Sequence, residues 1–161
     1  MDCKVRLLEI NVKNLKNLGN GSICFDSYNK VIKGKFDFEE SDIVGVYGPN
    51  GSSKSSLIDA LSIIKSLFIN DPLDHELYDY ISINKDKLEL SLKLYCCLEK
   101  NHYIIDYNVC LNKVNNEQIK ISYEEINYRK YESNDWTKQK SLFSINNNVD
   151  GDGFIMPKYN L

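Results

Sequence analysis

From Lys87 the chain alternates strictly between apolar and polar residues. KLELSLKLYCC places Leu88, Leu90, Leu92 and Leu94 on one side and Glu89, Ser91 and Lys93 on the other. A period of two is the signature of a strand with one face buried. HYIIDYNVCL and QIKISYEEI read as two further strands, joined by hairpin turns near Lys100-Asn101 and Asn115-Asn116. KVRLLEINV, residues 4–12, is also strand-like. Short strands are predicted at Ser22–Phe25 and Val31–Phe38, and a turn-rich loop over NLKNLGNGS. One segment has the helical period. From Lys54 to about Phe68, Leu57, Leu61, Ile64 and Phe68 recur at three to four residues, widened by Ile58 and Leu67, and Asn70-Asp71-Pro72 ends the run. DIVGVY, residues 42–47, precedes this helix and reads as a short buried parallel strand. Beyond Tyr131 the pattern fades, and INNNVDGDGFIMPKYNL reads as a loop or frayed end.

The pattern therefore predicts an α/β fold, with a strand–loop–helix unit followed by an antiparallel β meander. The chain has 161 residues, enough for one domain with a sizeable core. Its net charge of -3 argues against coating nucleic acid by bulk charge. Cys3, Cys24, Cys96, Cys97 and Cys110 make an odd count of five without a C-x-x-C pair. Most lie in predicted strands, which suggests small buried hydrophobes rather than disulfides, and a reducing cytoplasm as the setting. The N-terminus lacks the features of a signal peptide, and the most apolar stretch, Leu57–Ile69, is too short and polar to span a bilayer. A soluble, cytoplasmic protein with no membrane partner is expected.

The chemistry is concentrated in Gly48-Pro49-Asn50-Gly51-Ser52-Ser53-Lys54-Ser55, followed by Ser56. The spacing is that of the phosphate-binding loop G-x-x-x-x-G-K-S/T, placed between a strand and a helix. Backbone amides from Gly51 to Ser55 would form a concave anion site at the helix start. Lys54 would neutralise phosphate, and the Ser55 hydroxyl would ligate Mg²⁺. ATP with Mg²⁺ is the expected ligand. Ser53 stands where the pattern has its last glycine. A serine in the left-handed conformation costs on the order of 1 kcal/mol. Charge-assisted hydrogen bonds to triphosphate are worth roughly 1.5–3 kcal/mol each, so the loop should survive.

This loop and the first strand together resemble the ABC/SMC-like AAA-type ATPases, the group of RecF, SMC heads and OLD-family nucleases. Leu7, Ile10 and Asn14-Leu15-Lys16-Asn17 follow that family's opening strand, with Leu15 in place of its usual Phe. GPNGSSKSSLIDAL is similar to its GPNGSGKSSLLDAL, and ISYEEINYRKYESNDWTKQKSLFSI is similar to the strands these ATPases carry after the helix. The resemblance implies a P-loop NTPase lobe of ABC/SMC-head type over residues 1–145, with 146–161 a flexible tail or the start of a missing remainder. It adds Lys16, in the loop after the first strand, as a nucleotide contact. It also implies ATP-gated homodimerisation of two heads on DNA, in repair or phage defence. The carboxylate, signature and switch residues such an ATPase needs are not recognisable, so the chain reads as an N-terminal lobe without a catalytic residue of its own. The competing reading is a nucleotide-sensing or structural module in which Ser53 has disabled turnover.

Other motifs fall short of their patterns. Tyr103-Ile104-Ile105-Asp106 imitates a Walker B strand, but Tyr107 follows where Glu belongs. Asn148, Asp150 and Asp152 imitate half of an EF-hand loop, with Tyr159 where its bidentate Glu should be. Asn84–Lys87 and Asn112–Asn115 both miss the Asp of a guanine-reading motif. His75 and His102 have no metal-ligand spacing. Tyr128-Arg129-Lys130-Tyr131 with Trp136, Lys138 and Lys140 interleaves cations and aromatics, a strip able to meet DNA or simply to form an exposed strand pair.

Overall fold

The computed structural model describes residues 3–36, 45–51, 53–69, 77–114 and 118–146. The elements run β1 (Cys3–Leu15), β2 (Leu18–Cys24), α1 (Ser27–Ile32), α2 (Lys54–Ile69), α3 (Leu77–Tyr80), β3 (Lys87–Leu98), β4 (Asn101–Val114), β5 (Gln118–Glu132), β6 (Asp135–Trp136) and β7 (Lys140–Asn146). One curled, seven-stranded sheet has the order β2-β1-β3-β4-β5-β6, with β7 also pairing to β5. Every pairing is antiparallel.

This overturns the expected α/β class. Strands hold 57% of the described residues and helices 21%, so the molecule is an antiparallel half-barrel and not a P-loop α/β lobe. The run that was to supply the parallel strand fails. Gly45, Val46 and Tyr47 lie in no strand and are exposed, Tyr47 at 93%, while Asp42–Val44 fall outside the described residues. A short run interrupted by glycine offers few side chains to bury. Strands of 12–15 residues offer continuous apolar rows and pair with one another instead.

The strands read from alternation are present. β3 and β4 pair over their whole length, from Lys87↔Asn112 to Leu98↔Asn101, through a two-residue turn at Glu99-Lys100. Both turn residues have positive φ, as a twist-matched hairpin requires. The supposed loop over NLKNLGNGS is itself a hairpin, with Leu15↔Leu18 flanking Lys16-Asn17. The supposed strand from Val31 begins inside helix α1, and its last residues lie outside the described ones. β6 and β7 continue the sheet past Tyr131 where the pattern had faded.

Both faces of the sheet carry a core. On one face Ile10, Val12, Leu88, Leu90, Leu92, Tyr107, Val109 and Leu111 pack with Ala60, Ile63 and Ile64 of α2. On the other, Leu8, Tyr95 and Ile104 pack with Val31 of α1, and Phe36 and Trp136 close the edge. β1 serves both faces because its pairing with β3 shifts between Leu7 and Glu9. That bulge inserts one residue and sends Leu8 to the α1 side while Ile10 and Val12 face α2.

Helix α2 spans nearly the predicted residues but buries a different stripe. Ser56, Ala60, Ile63 and Ile64 are buried; Ile58, Leu61 and Phe68 are exposed by 67%, 38% and 53%. Apolar residues occur nearly all round this helix, so periodicity left its rotation open. Two small residues, Ser56 and Ala60, lie on its buried side. None of the five cysteines is fully buried; all are free thiols, and Cys3 and Cys24 are exposed.

At the α1 end, Tyr95 hydrogen-bonds to Nδ1 of His102, and Phe36 stacks on the imidazole at 3.9 Å between centroids. Burial holds the His102 pKa below its ordinary value.

Ile64→Ala should cost about 2–5 kcal/mol in denaturant unfolding, whereas Ile58→Ala should cost under about 1 kcal/mol. The reverse ranking would place the other stripe of α2 against the sheet. His102 is a base with a lowered folded pKa. Its stabilising contribution is therefore complete above its unfolded value, about 6.5, and is lost as pH falls through the folded value. Thermal melts between pH 8 and 5 should show the wild-type protein losing stability in that window, and His102→Asn losing less.

Candidate functional site

The loop leading into α2 is exposed from Gly45 to Gly51. Two residues give it its turn. Gly51 has φ +83°, a region only glycine enters without strain, and a Cβ placed there would meet nothing within 4 Å. Ser53 has φ 60°, the left-handed conformation expected of the position that replaces glycine. α2 starts at the next residue, and the Ser56 amide donates to the Ser53 carbonyl at 3.1 Å, closing the first turn.

Lys54 reaches back over the loop. Its Nζ donates to the carbonyls of Gly48 and Pro49, each at 2.7 Å. The first residue of a sixteen-residue helix thus ties its ammonium to the loop that precedes the helix. Ser55 is exposed in the first turn, and Ser56 is buried toward the sheet, 3% exposed. Gly48, Pro49, Asn50, Gly51, Ser53, Lys54, Ser55 and Ser56 therefore form one continuous surface feature, and Ser52 lies outside the described residues.

Lys16, in the turn between β1 and β2, meets the same helix further along. Its Nζ pairs with Asp59 at 2.6 Å and lies 3.8 Å from the centre of the Tyr80 ring. Its carbonyl accepts from the Ser82 hydroxyl at 2.7 Å, and its amide donates to the Tyr80 carbonyl. Asp59 is five residues beyond Lys54, about 7.5 Å along the helix. Asp59 and Tyr80 were invisible as partners of Lys16 in the sequence, because they lie 43 and 64 residues away with no periodic relation to it.

What these residues would offer a polyphosphate is a cation tied to the loop, a glycine-enabled turn, open space beside that glycine and a helix start. For Mg²⁺ the chain offers the Ser55 hydroxyl, and among the described residues no cluster of three or more His, Cys, Asp or Glu could hold a metal. The other oxygen ligands of the metal would have to come from the phosphates and water.

The other motifs have structural work. Asp106 lies in mid-β4, 3.0 Å from Lys93 Nζ and 3.8 Å from Arg129. Burial is the largest single influence on Lys93 and opposes its charge, but the hydrogen bond to Asp106 together with the charges of Asp106 and Glu9 outweighs it and holds the pKa above the ordinary value. The cation–aromatic strip is divided between the faces of β5. Tyr131 and Trp136 meet Phe36 edge to face, Lys130 pairs with Glu132 at 2.7 Å, and Tyr128 leans toward Tyr103. Asn84 is a turn residue with φ 64°, and Asn112 accepts from the Ser122 hydroxyl. His75 and the EF-hand-like run lie outside the described residues.

The chain matches no protein-family model and no curated protein. Among the described residues no helix is long and apolar enough to cross a membrane.

Because Ser53 is left-handed, Ser53→Gly should leave stability unchanged or raise it by up to about 1 kcal/mol, whereas Ser53→Val should lower it by at least about 1 kcal/mol. Urea unfolding of both variants checks this; equal effects would mean that position 53 is not left-handed in solution.

Proposed function

We propose that residues Gly48–Ser56 bind the phosphates of ATP together with Mg²⁺, on an antiparallel β scaffold. The observation that carries this reading is Lys54 Nζ held 2.7 Å from both the Gly48 and Pro49 carbonyls, over an exposed turn at the start of α2. Lys54 neutralises the outer phosphates, and the amides between Gly51 and Ser55 orient them. Ser55 offers its hydroxyl to the metal. Mg²⁺ screens the charge that adjacent phosphates would otherwise set against one another. Lys16, tied to Asp59, acts on this site through the position of α2.

A second reading concerns turnover. The carboxylate that imitates Walker B, Asp106, is engaged by Lys93 and Arg129 within the sheet. That favours binding without hydrolysis by the described residues, as in a nucleotide-sensing module. The SMC/RecF-like resemblance extends the proposal to a longer protein, in which bound ATP would gate homodimerisation on DNA. That extension rests on the resemblance in Gly48–Leu61 and in β1 alone.

Isothermal titration with ATP and Mg²⁺ tests the site. Binding by the wild-type chain should weaken by at least about tenfold, or 1.4 kcal/mol, in Lys54→Ala. AMP, which lacks the outer phosphates, should bind worse than ATP. Equal affinity of wild type and Lys54→Ala, or no heat with either, overturns the reading. Phosphate release above background from the wild-type chain would overturn the non-hydrolysing version and leave the binding site in place.

A further inference from the structure

Cys3 and Cys96 lie on neighbouring strands with their sulfurs 3.7 Å apart. The register explains the approach. Val5 faces Cys96 and Cys3 faces Leu98, so the two cysteines are diagonal neighbours on one side of the β1–β3 pair. Cys97, the next residue, points to the opposite side and packs with the Leu8–Tyr95 cluster. Alternation therefore selects one of two adjacent thiols as the partner of Cys3. Cys3 is exposed and begins β1, where the strand has room to adjust; Cys96 is half-buried. Closing the gap from 3.7 Å to a bonded length of about 2.05 Å needs an approach of about 1.7 Å.

We propose that Cys3 and Cys96 form a redox-responsive thiol pair, which hydrogen peroxide closes into an intrachain disulfide. The exposed Cys3, as thiolate, attacks one peroxide oxygen. The O–O bond breaks, hydroxide leaves as water, and Cys3 becomes the sulfenic acid. The Cys96 sulfur, giving up its proton, then attacks the Cys3 sulfur. The S–S bond forms, the S–O bond breaks, and a second water leaves. The two sulfurs together lose two electrons and the peroxide gains them. Burial, with the hydrogen bond and charge of Cys3 adding to it, pushes the Cys96 thiol up to about 11. Cys96 is thus protonated at neutral pH, and its role is to resolve a sulfenic acid already formed beside it. The product ties the start of β1 to β3 and closes a long loop of chain.

The test is mass mapping of the full chain after brief exposure to peroxide at neutral pH, alkylation of the remaining thiols and proteolysis without reductant. The expected product is a peptide pair linked through Cys3 and Cys96, with an intact mass lower by about 2 Da and full reversal by dithiothreitol. In Cys96→Ser, Cys3 should persist as a sulfenic acid that dimedone traps. In Cys3→Ser, whose changed side chain is exposed, no intrachain link should form. Linkage of Cys3 to Cys97, a link between chains only, or oxidation of Cys24 or Cys110 ahead of Cys3 in the wild-type chain overturns the proposal.

Discussion

The seating of α2 on the leucine face of the sheet governs the geometry of the candidate site. The helix buries Ser56, Ala60, Ile63 and Ile64 in the cluster of Leu88, Leu90, Leu92, Tyr107 and Val109, with Leu57, Leu67 and the Phe68 ring packing at its margin. Burying an Ile side chain stabilises by roughly 1.5–3 kcal/mol, so two of them hold the helix firmly but do little to fix its rotation. Lys16 and Asp59 supply that constraint. Their partly buried ion pair ties the flank of α2 to a hairpin turn, and Tyr80 at the end of α3 and Ser82 just after it pin that turn. The loop before Lys54 inherits its orientation from this arrangement. Where Lys54 can place a charge follows from which stripe of α2 is buried.

The sheet makes this possible by being two-sided without being uniformly apolar. Its α2 face is a continuous hydrophobic surface. Its other face is apolar only beneath α1, Phe36 and Trp136, and polar where Glu9, Lys93, Asp106 and Arg129 pair across the strands. One bulge in β1 lets a single strand satisfy both patterns. Without the shift between Leu7 and Glu9, either Leu8 or the pair Ile10 and Val12 would point at the wrong layer. The edge is closed by side chains of mixed character: the Trp136 indole donates to the Ile32 carbonyl while its ring meets Phe36 and Tyr131.

Legibility in the sequence followed the physics of each element. β3 was readable because strict alternation from Leu88 to Leu94 points to a strand with one buried face, and β4 and β5 because strand-forming runs lie between turn signals. α2 was readable in extent but not in rotation, since apolar residues on nearly every side leave the choice of face to the sheet it meets. The α/β class was misread because DIVGVY was judged from its apolar content and from what usually precedes such a loop. Whether a short run enters a sheet depends on competition with longer strands, and that competition is tertiary. The hairpin at Lys16-Asn17 was hidden for a similar reason, its polar residues marking a turn without revealing how tight it is. The left-handed conformation at Ser53 was legible from the loop pattern, because it is local. The link from Lys16 to Asp59 joins distant parts of the chain and could not be read.

Ser53 gives the site its significance. Among the described residues eight non-glycine positions have positive φ: Asn14, Lys16, Asn84, Glu99, Lys100, Ser133, Asn134 and Ser53. The pairs Glu99-Lys100 and Ser133-Asn134 are hairpin turns whose twist demands that conformation, and Lys16 opens the β1–β2 turn. Asn14 and Asn84 are of the residue type that tolerates it best. Ser53 has neither excuse. It is the position just before a helix, where a serine could cap in an ordinary extended conformation at no cost. Adopting φ 60° instead costs on the order of 1 kcal/mol, which the surrounding contacts must offset. The nearby contacts that do so are the closing bond from Ser56 to Ser53 and the grip of Lys54 on Gly48 and Pro49. Helix formation alone would not need the second of these. A strained residue and a lysine folded back onto its own loop are the two features on which the proposed phosphate site rests, and this chain has both while lacking the glycine that would have made the shape easier to adopt.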